Sequence, residues 1–195
     1  MVFHLLLKSS SPWRAAVQLT FTDYNQTVLE LATIPNLLLT WHFSCSSVAS
    51  PPVGDLEITP DLLSRFLSDL SLKNIRVSGI SGAWNHAFND LVRPFNHLPQ
   101  QPATETIVLA SETIYSPASI RAFSATLLSI LGQGKASGGT AIAFIAAKRI
   151  YFGVGGGVDE FLRILEELGG EAKTVWETEA TGVGRVIMQV TNDHD

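Results

Sequence analysis

The sequence predicts an open, doubly wound α/β sheet, and three observations carry that expectation. Short apolar strand-like runs alternate with amphipathic helical windows, an order that builds a largely parallel sheet covered by helices. The last two runs are joined by too few residues for a parallel crossover, so they pair as an antiparallel hairpin. The 195 residues, 46% apolar and only 16% charged, provide for a sizeable buried core. A single domain over residues 1–195 is expected.

The elements follow in order. The first strand covers residues 16–22, where Val17, Leu19 and Phe21 alternate with Gln18, Thr20 and Thr22. A helical window at 25–31 is expected to close near Pro35, and an apolar stretch occupies 36–43. Residues 44–59, rich in Ser and Pro and containing Pro51-Pro52, read as a flexible surface loop. Thr59 then offers a helix N-cap, Pro60 fits the first helical position and Asp61 the first turn. Leu62, Leu63, Phe66, Leu67 and Leu70 supply that helix's buried stripe. A short strand at 74–78 ends in Gly79, and a short helix covers 83–91. Residues 106–110 are almost wholly apolar, as in a central strand covered on both faces. Ser116-Pro117 opens a helix that runs through Ile130 and stops at Gly132. A buried strand spans 140–147. Val158, Phe161, Leu162, Leu165 and Leu168 form a helix stripe closed by Gly169-Gly170, and strands 172–178 and 185–191 make the final hairpin.

Charge and composition narrow the function. Thirteen Lys and Arg against eighteen Asp and Glu leave a net charge of -5, which supplies no broad cationic footprint for a phosphate backbone, so direct nucleic-acid binding is not expected. The single cysteine, Cys45, cannot build an internal disulfide framework and points to a reducing compartment. A mean hydropathy of +0.22 raises the question of a membrane. The longest apolar stretches, around 37–39 and 141–147, fall well short of the ~20 residues a spanning helix needs. The apolar run 2–7 is short, interrupted by His4 and preceded by no basic region, unlike a signal peptide. The expectation is a monomer of the cytoplasm and nucleus.

In open α/β sheets, ligands sit beyond the carboxyl ends of the strands. After the first strand stands Asp23-Tyr24-Asn25, where a carboxylate can accept the two hydroxyls of a ribose or, equally well, cap a helix. Gly82-Ala83-Trp84 follows the next strand, with Trp84 suited to an adenine ring or to core packing. Ser111-Glu112-Thr113-Ile114-Tyr115 follows the apolar strand 106–110. Glu112 there is a base, a hydrogen-bond acceptor or a plain helix-entry residue. Gly153-Val154-Gly155-Gly156-Gly157 lacks the Lys-Ser/Thr of a P-loop and the spacing of a dinucleotide fingerprint; it allows close approach of a ligand or makes a turn. The histidines show no metal-ligand spacing, and no serine lies in a Gly-x-Ser-x-Gly elbow.

Taken together, Asp23-Tyr24-Asn25 with Pro35-Asn36, Gly82-Ala83-Trp84, Ser111-Glu112-Thr113-Ile114-Tyr115 and the run Tyr151-Phe152-Gly153-Val154-Gly155-Gly156-Gly157 resemble one family. The sequence looks like the protein-histidine N-methyltransferases that act on a large-subunit ribosomal protein, a branch of the seven-strand, S-adenosylmethionine-dependent methyltransferases. The likeness extends from about Val17 to Val190. It implies S-adenosylmethionine as methyl donor, no metal, and a ribosomal protein as substrate. It puts Asp23, Tyr24 and Asn25 on the cofactor's ribose side, Gly82, Ala83 and Trp84 on the adenine side, and Ser111 near the sulfonium. Glu112 and Tyr115 match the acidic-x-x-Tyr motif where the methyl is transferred, and Tyr151, Gly155, Gly156 and Gly157 border the substrate. The chemistry of a neutral imidazole, which already has one nucleophilic lone pair, predicts that Glu112 at this position accepts a hydrogen bond from one ring N–H while the other ring nitrogen attacks.

Two departures qualify the match. Ala83 stands where the family has an acidic residue, and the family's glycine-rich first motif has no equivalent in the 22 residues before Asp23. The fold is therefore expected to lack the first strand and its loop, and to bind the cofactor weakly or not at all. Two other readings remain at this point: an impaired remnant acting as an interaction module, and a methyltransferase acting on lysine.

Overall fold

The computed structural model describes residues 2–8, 16–45, 54–96, 105–136, 138–178 and 184–192, and the chain divides into two compact units, Met1–Gly82 and Ala83–Asp195. It is a mixed α/β protein.

The first unit contains α1 (Val2–Lys8), β1 (Val17–Asp23), α2 (Gln26–Val28), a π-helical turn (Leu29–Thr33), α3 (Ile34–Cys45), α4 (Pro60–Leu72) and β2 (Ile75–Ser81). β1 and β2 pair in parallel from Val17↔Ile75 to Asp23↔Ser81, so both strands finish level at their carboxyl ends. Val17, Leu19 and Phe21 pack against a core that includes Leu37, Leu38, Trp41, Leu62 and Leu70. On the opposite face the Gln18 amide donates to Ser78 Oγ at 2.9 Å, and Thr20 Oγ1 lies 3.1 Å from the same hydroxyl. Trp41 is fully buried, and its indole N–H is satisfied by Asp69 at 2.9 Å. The cap expected at Thr59 forms: its side chain accepts the Leu62 amide at 3.2 Å, ahead of Pro60.

Three element bounds expected for this unit need correction, and Leu63 and Leu67 of the expected α4 stripe are exposed rather than buried. The helix does not close near Pro35 but continues to Cys45. Proline has no N–H to return to the previous turn; the chain widens just before it, where the Ile34 amide reaches back five residues to the Leu29 carbonyl, and the helix passes through the defect. Ser44 and Cys45 are thus the end of α3 rather than the start of the 44–59 loop, of which 46–53 lie outside the described residues. β2 runs through Gly79 to Ser81 instead of stopping at 78, because its pairing with β1 extends that far.

The second unit contains α5 (His86–Asn96), β3 (Glu105–Ser111), α6 (Pro117–Ala136), β4 (Thr140–Lys148), α7 (Val158–Glu167), β5 (Glu171–Glu177) and β6 (Arg185–Thr191). Its sheet has the order β3–β4–β6–β5, with β3 parallel to β4 and β6 antiparallel to both neighbours. Alternate residues of β4 (Ala141, Ala143, Ile145, Ala147) and β6 (Val186, Met188, Val190) face a core closed by Ile120, Leu127 and Leu131 of α6 and Phe161 and Leu165 of α7. Burying one Phe161-sized side chain contributes about 2–3 kcal/mol, so this face dominates the unit's stability.

Here too the sequence reading needs amendment. α6 does not stop at Gly132 but runs on to Ala136. At Gly134 an added Cβ would come within 2.9 Å of the Ala141 Cβ and 3.0 Å of Thr106 Oγ1, so the glycine serves close helix-to-strand packing within the helix. β3 is not covered on both faces: Ile107 and Leu109 are each 61% exposed, and among the described residues β3 pairs with β4 alone. α5 begins at His86 rather than 83, because Asn85 Oδ1 accepts the Phe88 amide at 3.0 Å and caps the helix there.

Candidate active site

The segment that leaves β3 is tied down residue by residue. The Glu112 amide donates to the Ala146 carbonyl of β4 at 3.0 Å, Ile114 is completely buried, and the Tyr115 carbonyl accepts the Gly156 amide at 3.2 Å. Between these anchors Glu112 adopts φ 57°, the left-handed region that costs a residue with a Cβ roughly 1–2 kcal/mol. Such strain persists where the surroundings enforce it, and it concentrates at functional positions. Its effect is to turn the Glu112 carboxylate outward while the backbone stays joined to the sheet.

The glycine run supplies one of these anchors. A Cβ at Gly156 would fall 2.3 Å from the Tyr115 carbonyl carbon and oxygen and 2.7 Å from the Ile114 carbonyl; one at Gly157 would meet the Arg149 carbonyl at 2.8 Å. Both glycines are buried, and Gly157 bridges to Ile150. Gly155, at φ 80°, turns the chain into this contact. Gly156 thus closes on the Ile114–Tyr115 backbone, and Gly157 on the Arg149–Ile150 backbone. The surface the run offers outward belongs to Phe152 and Val154, which are exposed.

Tyr151 packs into the core with its hydroxyl accepting the Lys148 amide at 3.2 Å, and its ring centre lies 6.3 Å from that of Tyr115. Burial pushes the Tyr151 hydroxyl above the usual tyrosine range, with the negative charge of the nearby Glu112 carboxylate adding to the shift. Lys148 Nζ stands 3.7 Å from Glu112 Oε2 and 5.5 Å from the centre of the Tyr151 ring. Two open clefts meet at Glu112 and Lys148. One, of about 450 Å³, is bounded by Ser111, Trp176, Arg185 and Ile187; the other, of about 410 Å³, by Tyr115, Tyr151, Ile150, Phe152 and Val154.

Of the residues singled out in the sequence, this unit therefore brings together Ser111, Glu112, Tyr115, Tyr151, Gly155, Gly156 and Gly157. Trp84 lies in the same unit but packs at a tilt against Phe123, with ring centres 4.9 Å apart, at the edge of its hydrophobic core; Ala83 beside it is exposed. In the first unit, Asp23 Oδ1 accepts the Asn25 amide at 2.8 Å and the Asp23 carbonyl accepts the Gly82 amide at 3.1 Å. That turn sets the entry to α2, and Tyr24 projects into solvent. Asp23 thus closes an Asx turn ahead of α2, whose N-cap residue Asn25 makes no side-chain cap hydrogen bond, and the carboxylate retains further lone pairs for a second ligand.

Lys148, Trp176 and Arg185 were not among the expected site residues. A trace of Lys148 is legible in the sequence: it is the cation that closes an otherwise apolar strand, at the end where Glu112 leaves β3. Trp176 and Arg185 belong to the hairpin, whose contribution depends on the β4–β6 register Lys148↔Arg185 and leaves no local signal. Among the described residues no cluster of three His, Cys, Asp or Glu could hold a metal ion, and no helix is long and apolar enough to cross a membrane.

No family model matches the chain. It is 34% identical over 167 residues to histidine protein methyltransferase 1 of Saccharomyces cerevisiae, covering 77% of this chain and 42% of that protein. It is 34% identical over 180 residues to the protein of the same name in Schizosaccharomyces pombe, covering 90% and 49%. With the mouse histidine protein methyltransferase 1 homolog it shares 28% over 182 residues, 92% of this chain and 44% of that one. The chain thus spans less than half the length of these curated relatives. A solved pericyclic reaction enzyme aligns with a TM-score of 0.38 at 12% identity, over 98% of this chain and 47% of its own.

Proposed function

Because the chain is homologous over most of its length to the histidine protein methyltransferase 1 proteins, we propose that it serves the same chemistry: methylation of a histidine imidazole nitrogen in a protein substrate. The observation that carries this is Glu112, forced into a left-handed conformation at the end of β3 with its carboxylate presented between two clefts.

A neutral imidazole already has one nucleophilic lone pair, so the protein's task is to aim the ring and fix its tautomer. The Glu112 carboxylate accepts the N–H of the ring nitrogen that is not methylated, which leaves the other nitrogen's lone pair directed outward. As positive charge develops on the ring, the same carboxylate stabilises it without having to take the proton. The Tyr115 ring walls one side of the cleft. S-adenosylmethionine, the donor that methyltransferase homology implies, supplies an electrophilic methyl group. Asp23 suits its ribose, since a carboxylate with one oxygen engaged by Asn25 keeps lone pairs for a diol. The sheet order β3–β4–β6–β5, parallel and then closed by an antiparallel pair, supports the seven-strand reading of the fold. A large-subunit ribosomal protein as substrate, and residence in the cytoplasm and nucleus, rest on the sequence resemblance and the single cysteine.

The test is transfer from S-adenosylmethionine to ribosomal proteins, with the modified residue located by mass spectrometry. Methyl-imidazole made by the wild-type chain and reduced roughly a hundredfold by Glu112→Gln supports the reading. Methyl-lysine, or full activity in Glu112→Gln, overturns it.

A further inference from the structure

Lys148 is the last residue of β4, and several relations converge on it. Its backbone amide donates to the Tyr151 hydroxyl at 3.2 Å, and its ammonium lies 3.7 Å from Glu112 Oε2 and 5.5 Å from the Tyr151 ring centre. The Tyr151 hydroxyl, fixed on its oxygen by the Lys148 amide, keeps one hydrogen to give, and Glu112 lines the same cleft as Tyr151 and Lys148. The three residues form one cluster in which the Glu112 carboxylate is ion-paired with the Lys148 ammonium and the Tyr151 hydroxyl is fixed by the Lys148 backbone. A carboxylate on an exposed glutamate would otherwise rotate freely about its side-chain torsions. We propose that Lys148 is a positioning residue for Glu112, its backbone placing the Tyr151 hydroxyl and its side chain holding the carboxylate toward the clefts.

A bare electrostatic role would predict the opposite sign. A cation beside Glu112 offsets some of the negative potential that favours a charged imidazole, so Lys148 opposes the reaction unless it acts by orientation. The pair is also half exposed, Lys148 37% and Glu112 48% by side chain, and such pairs add little to stability, so substitution leaves the fold intact. Orientation is the contribution that remains, and a misplacement of about 1 Å costs on the order of a hundredfold in rate.

This inference rests on the reading of Glu112 given above, and its test has an arm that does not. In hydrogen exchange, Lys148→Met is expected to speed exchange of the amides in residues 111–116 severalfold, and Lys148→Arg, which keeps the cation, to return it to the wild-type rate. In methyl transfer, Lys148→Met is expected to lower kcat ten- to hundredfold with KM for the protein substrate within about twofold. Unchanged exchange in Lys148→Met, or a loss confined to KM, overturns the proposal. If the wild-type chain transfers no methyl, the functional reading fails while the exchange arm still decides the role of Lys148.

Discussion

Gly156 donates its amide hydrogen to the Tyr115 carbonyl, and a Cβ at 156 would stand 2.3 Å from that same carbonyl oxygen. The glycine run and the acidic-x-x-Tyr segment, 41 residues apart in the chain, are therefore one assembly. The run works by the absence of side chains at two positions, and whatever disturbs it disturbs the placement of Glu112.

Gly156→Ala should accordingly be severe. The obstruction is backbone, which cannot swing aside, and overpacking of this kind costs about 1–3 kcal/mol. The denaturant midpoint should fall accordingly, and activity should fall further than the loss of folded protein explains. Gly153→Ala is the control: nothing lies within 4 Å of a Cβ there, so it bears the left-handed penalty at φ 80° without a clash. Equal effects from the two substitutions would show that the contact at 156 is unimportant.

Glu112 presents the converse case, a residue that strains the fold. Glu112→Gly is expected to relieve the φ 57° penalty and raise stability by up to about 1 kcal/mol, while abolishing methyl transfer. Thermal unfolding and the methylation assay together read both effects. A stability–activity opposition at one position is what a strained functional residue produces; a Glu112→Gly protein less stable than wild type would mean that the side chain's contacts outweigh the backbone cost.

How far the sequence reached can be judged from such particulars. The alternation of β1, the Thr59 cap and the final hairpin were legible because each rests on local chemistry. Pro35 misled because a proline's cost can be absorbed by a π turn, which depends on the helix having a core to hold it. Gly132 misled for a similar reason: Gly134 two residues on is needed for contact with Ala141 and Thr106, and that contact is tertiary. At the site, Glu112 was legible as the carboxylate following an apolar strand. Lys148, Trp176 and Arg185 were not, because strand register brings them there.

Tyr151 gives the site a signature in alkali. Its hydroxyl is held above the usual tyrosine range, first by burial and then by Glu112. The folded state thus retains the proton more tightly than the unfolded chain, whose tyrosine titrates near the ordinary value of 10.0. The stability this contributes is complete below that value and is lost as pH rises through the raised folded one. Urea unfolding at increasing alkaline pH should show the decline, and Tyr151→Phe should flatten it. A Tyr151→Phe protein with the wild-type slope would place the titration elsewhere.

Asp23 separates turn closure from cofactor binding. Its Oδ1 accepts the Asn25 amide at 2.8 Å, a bond that an asparagine oxygen can also accept. Asp23→Asn should therefore leave stability within about 0.5 kcal/mol of wild type, whereas Asp23→Ala loses the turn hydrogen bond and costs roughly 0.5–1.5 kcal/mol. A ribose diol distinguishes the two differently, since it donates to the charged carboxylate, and hydrogen bonds to charged groups are worth about 1.5–3 kcal/mol. Both variants should thus weaken S-adenosylmethionine binding by tenfold or more in calorimetry. If Asp23→Asn binds the cofactor as tightly as wild type does, Asp23 is a helix-entry residue and the ribose is held elsewhere.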